Sequence, residues 1–81
     1  MKIVADRDTA VGRRAIDELL ESYVSWREEC QAVAFAYGRL IASGRGERQL
    51  AYAAYFAALE GEERAARTYD HHVERVRRIA S

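Results

Sequence analysis

Between residues 16 and 40 the large apolar side chains stand at Ile16, Leu19, Tyr23, Trp26, Cys30, Val33, Tyr37 and Leu40. The steps alternate three and four residues, an a/d seam held for more than three heptads. A strand presents every second side chain to one face and has no use for this spacing. No Gly or Pro lies between residues 13 and 37 to interrupt it. Asp8 or Thr9 supplies an N-cap, so the pattern predicts a flexible N-terminus over 1–8 and one helix over about 9–43. One signal competes. Ser25-Trp26-Arg27-Glu28 reads as a capping box, the mark of a helix start. A helix beginning there would usually enter at a new angle and lose the phase, yet the phase is kept. A break near residue 24, giving a three-helix bundle, is the alternative.

The next segment, "ASGRGERQ", carries Gly44 and Gly46. Glycines of positive φ end helices and shape short connections, so a turn is expected at 44–46. A second helix is expected over about 47–80, with its seam at Tyr52, Tyr55, Leu59, Ala66, Tyr69, Val73, Val76 and Ala80. Glu62 breaks that seam beside Gly61, and "LEGEE" is a place for a kink, since glycine costs ~1 kcal/mol inside a helix. Two arms of similar length and a short link define an antiparallel αα-hairpin. Folding about Arg45 brings Trp26 level with residues 62–66. Gly61, Ala65 and Ala66 are small enough there to admit the indole, and Glu62 is placed to accept its N–H.

Eighty-one residues form one domain, here the helical stretch 9–81. A chain this short buries only about 60% of its unfolded surface. A lone cysteine, Cys30, excludes an internal disulfide and suits a reducing cytoplasm. No apolar run approaches the ~20 residues of a membrane span. Thirteen basic and thirteen acidic residues cancel, so overall charge recruits no polyanion.

The half beside the turn is apolar almost all the way round. "AVAFAYGRLIA" (32–42) and "LAYAAYFAALE" (50–60) give each arm a second apolar stripe, which a two-helix fold cannot hide. Self-association follows as the expectation, most simply two hairpins forming a four-helix bundle. The expected interface is Phe35, Ile41, Leu50, Tyr52, Tyr55 and Phe56. Tyr23 and Trp26 join them as aromatic contact candidates, although packing within the hairpin suits those two better.

Chemistry-bearing groups are few. His71 and His72 are adjacent, so they point about 100° apart and cannot chelate one ion together. No Glu-x-x-His or His-x-x-x-His spacing occurs. Gly44-Arg45-Gly46 lacks the length, lysine and strand of a phosphate loop. Cys30 has no histidine assigned to activate it. No catalytic residue, metal ligand or cofactor is expected. Arg64, Arg67, His71, Arg75 and Arg78 do form a stripe along one outer face, suited to following a phosphate backbone. Glu60, Glu63 and Glu74 each stand four residues before one of its arginines, in the favourable order; Arg14 and Glu18 are a further pair. The sequence therefore favours a non-enzymatic, cytoplasmic protein–protein interaction module, with a nucleic-acid accessory protein as the alternative.

"SWREEC" (25–30) and "AAYFAALEGEERAARTYD" (53–70) resemble a group of short actinobacterial and actinophage helical proteins. The near-exclusive use of arginine over lysine, Lys2 being the one lysine, fits the GC-rich genomes of such hosts. The resemblance implies a small all-helical fold and carries no activity.

Overall fold

A computed structural model describes the backbone of residues 2–81 and the side chains from residue 10 onward. It contains two helices, α1 (Lys2–Ala42) and α2 (Arg48–Ala80), packed against each other along their length as a hairpin of 67 × 14 × 13 Å. Helix α1 passes through Ser25 without a break. The three-helix alternative is thereby set aside: the capping-box letters lie inside a continuous helix. Helix α2 is likewise uninterrupted at Gly61.

Helix α1 starts earlier than the capping signals imply. Asp8 and Thr9 lie within the helix, which runs from Lys2 and not from about residue 9, Met1 lying outside the described residues. No Gly or Pro between residues 2 and 11 opposes this extension. The turn also differs from expectation, because neither Gly44 nor Gly46 has positive φ. The chain leaves α1 at Ser43, whose N–H donates to the Leu40 carbonyl at 3.3 Å and whose Oγ donates to the same oxygen at 2.7 Å. Glu47 N–H then donates to the Gly44 carbonyl at 3.1 Å, closing a right-handed turn that leads directly into α2.

The register reflects about Arg45, as expected. Trp26 meets Glu62, Glu29 meets Gly61, Tyr37 meets Tyr55, and a Cβ on Gly12 would touch Ile79. The rotation of each helix about its own axis is a correction to the seam. Heptad positions Leu19, Trp26, Val33 and Leu40 do turn inward, at least half-buried. Their expected partners do not: Ile16, Tyr23 and Tyr37 stay exposed, and Ala15, Ser22 and Ala36 take the innermost place, Ala15 being 1% exposed. On α2, Ala51 is half-buried whereas Tyr52 and Ala80 are exposed. Close approach of two backbones selects small side chains along the line of contact. Large ones stand one residue further on, about 100° round the helix at 3.5 residues per turn.

Trp26 anchors the middle of the hairpin. Its ring stacks on Tyr69 with centroids 5.5 Å apart and planes 9° from parallel, while Tyr23 leans on both. Its Nε1–H donates to Glu62 Oε2 at 2.7 Å, which explains the charged residue in the α2 seam. The space at Gly61 serves another group than expected. A Cβ there would lie 3.0 Å from Glu29 Oε2, so the glycine accommodates the Glu29 carboxylate and not the indole.

Candidate interaction surface

Inward-facing small residues leave the large apolar ones outside. No large side chain is fully buried among the described residues, and the buried apolar core is Ala15 and Ala36. Leu50 is 76% exposed, Phe35 68%, Ile41 63% and Phe56 57%. Folding therefore leaves much hydrophobic surface in water near the turn, surface whose burial is worth roughly 25 cal/mol per Å².

A two-helix ribbon has two broad faces, and the structure divides the expected interface residues between them. On one face Phe35 and Leu50 wall a groove of about 530 Å³, floored by Ala36, Ala51 and Ala54 and flanked by Arg39, Ser43 and Glu47. The Arg39 guanidinium lies 5.9 Å from the Phe35 ring centroid, a cation–π contact that holds the ring edge of this groove. The opposite face is aromatic. Tyr37 packs on Tyr55 at 5.7 Å, Tyr55 on Phe56 at 6.0 Å, and Tyr52 stacks on Phe56 at 6.0 Å. Helical position places Ile41, Ile16 and Tyr23 on this second face too. Tyr55 alone of the six expected residues is half-buried. Sequence alone does not separate the two faces, because a segment apolar all round gives no sign of which side meets the partner helix. It also misses the groove's polar rim, since Arg39 and Glu47 look like ordinary helix-end charges until the fold brings them together.

The arginine stripe is partly consumed by ion pairs. Arg67 bonds Glu63 at 3.2 Å, as the i,i+4 spacing predicts. Arg75 crosses to Glu18 on α1, so Glu18 turns away from its expected partner Arg14. Glu74 pairs with Arg77 at 3.3 Å instead of Arg78. Arg64 and Arg78 make no ion pair among the described residues. His71 is exposed and edges onto the His72 ring at 5.6 Å, while the His72 Nδ1 is buried without a hydrogen-bond partner. Cys30 is a half-buried free thiol. Among the described residues no three His, Cys, Asp or Glu side chains gather into a metal-binding group, and no helix is long and apolar enough to cross a membrane.

No family model matches the chain, and neither a curated protein nor a solved structure matches it. The functional reading therefore rests on the geometry.

Proposed function

We propose that this chain is a non-enzymatic helical interaction module that self-associates and uses its remaining apolar surface to hold a partner protein. One observation carries the reading: Phe35, Ile41, Leu50 and Phe56 are all more than half exposed, while nothing larger than alanine forms the buried apolar core. Isolated apolar residues on a surface need no explanation, but a concentration of them around one end of a molecule marks an interaction site. Aromatic side chains suit such a site because they cover a large area with few rotatable bonds. Self-association covers one broad face of the ribbon. The groove of Phe35 and Leu50, with a cation and an anion on its rim, is the surface for the partner.

Sedimentation equilibrium across a protomer concentration series tests the reading. A mass of twice the 9.2 kDa chain, falling toward the single-chain value on dilution, is expected. A single-chain mass up to high micromolar concentration overturns self-association.

A further inference from the structure

The rotation of the helices identifies which face meets a second copy. In a four-helix bundle each helix touches one neighbour through one flank and a second neighbour through the other, and its apolar seam points between them, at the bundle centre. Both seams of this hairpin point that way. Relative to the line joining α1 and α2, the α1 positions Ile16, Tyr23 and Tyr37 and the α2 positions Tyr52, Leu59 and Val73 are turned toward the same broad face, the one where Tyr37 packs on Tyr55. Neither seam turns toward the groove face. We infer that the aromatic face is the self-association interface, and that two copies pair across it about a two-fold axis parallel to the hairpin, with their turns at the same end. This rests on the self-association proposed above and adds its face and symmetry.

Charge and size settle the direction. The outer edges of this face are unlike: α1 contributes Leu20, Arg27, Ala34 and Ile41, α2 contributes Phe56, Glu63 and Asp70, all exposed. A two-fold axis along the hairpin lays α1 of one copy over α2 of the other at equal height. The register about Arg45 then sets Arg27 against Glu63 of the second copy, and Phe56 against the second copy's Ala34, each twice by symmetry. Tyr23 likewise meets a small residue, Ala66 of the second copy. The opposed arrangement, with turns at opposite ends, lays α2 on α2 and α1 on α1; at full overlap it sets Glu63 beside Glu63 and Arg27 beside Arg27 of the second copy, like charge on like. The chosen arrangement does bring Arg13 level with Arg77 of the second copy at the open ends, where both are exposed to water. Where both helices are present, over roughly 50 Å of α2 at 1.5 Å per residue, the 14 Å wide face has an outline of roughly 700 Å², within the ~600–1,000 Å² per partner of ordinary stable interfaces.

A charge-reversal exchange tests this. Arg27→Glu and Glu63→Arg are made separately and each dimer dissociation constant is measured by sedimentation. Each variant alone is expected to weaken the homodimer roughly tenfold, because each reversal spoils two symmetry-related contacts. An equimolar mixture is expected to regain wild-type affinity as a heterodimer. In that heterodimer one contact pairs the two introduced side chains, with the signs exchanged, and the other pairs the two native ones, so opposite charges meet in both places. Glu63 also pairs with Arg67 in its own helix, so the recovery in the mixture, and not the loss in Glu63→Arg, is the decisive readout. Tyr37→Asp is expected to yield a folded monomer and Phe35→Asp to remain dimeric, with circular dichroism checking helicity in both. A dimer indifferent to the charge reversals, or broken by Phe35→Asp and not by Tyr37→Asp, overturns this face and symmetry while leaving self-association standing. A wild-type chain that stays single at every concentration removes both.

Discussion

The Trp26–Glu62 hydrogen bond is the most specific contact between the two arms, and a double-mutant cycle measures it. Trp26→Phe keeps a ring against Tyr69 but removes the N–H; Glu62→Ala removes the acceptor. A bond to a charged group is worth ~1.5–3 kcal/mol when enclosed. Both residues here are half-buried, so water replaces part of it, and about 1 kcal/mol is the expected coupling. Glu62→Ala alone should cost about 1 kcal/mol, since the orphaned N–H can reach solvent. Trp26→Phe should cost about 2 kcal/mol, adding the smaller ring area to the lost bond. The double variant should cost about 2 kcal/mol and not 3, because the bond is lost only once. Urea unfolding followed by far-ultraviolet circular dichroism is the assay, as Trp26 is the only tryptophan and its replacement abolishes the fluorescence signal. All four proteins are compared at one protomer concentration, since any association would contribute stability by mass action. Additive losses, with coupling under ~0.3 kcal/mol, would show that the bond does not hold the arms together.

Gly38 has open space where a Cβ would go, so Gly38→Ala should stabilise by about 0.8–1 kcal/mol in urea unfolding. Gly61→Ala should gain less, because its Cβ displaces the Glu29 carboxylate, and adding Glu29→Ala should recover the difference. Ala15→Leu should cost ~1–3 kcal/mol by wedging the helices apart, measured by the same unfolding curve. Glu18→Ala should cost about 0.5 kcal/mol at low salt and almost nothing in ~1 M NaCl, because the Glu18–Arg75 pair is part-exposed and screened. The melting temperature of the wild-type chain should rise with protomer concentration; a melting temperature independent of dilution would show that unfolding and dissociation are not linked.

The hairpin was legible in the sequence because its cause is periodic. Three-four spacing from Ile16 to Leu40, with no Gly or Pro inside it, outweighed the capping-box letters at Ser25. The register was legible because two arms of similar length about Gly44-Arg45-Gly46 leave one alignment, and that alignment placed Trp26 beside Glu62. The rotation of each helix was not. Ranking residues by hydrophobicity selects Ile16, Tyr23 and Tyr37, whereas the contact line is chosen by how closely two backbones can approach, which selects Ala15, Ser22 and Ala36. Glu18 shows the same limit for charge. Arg14 and Arg75 both lie within its reach, one along the chain and one across the fold, and spacing along the sequence registers only the first.

That distinction between apolar and close-packed also bears on why such a chain would associate at all. Ordering a residue's backbone costs ~1–2 kcal/mol, and alanines on a contact line return little area against it. The hairpin's small inner residues give it a defined approach but a thin core. The side chains able to add area are Ile16, Tyr23, Tyr37, Tyr52 and Phe56, and they stand on the flank that a second layer would cover. Small residues bring α1 and α2 together, and large ones wait one position further round each helix. On this reading the interior of the functional particle lies between copies, and the single hairpin is half of it.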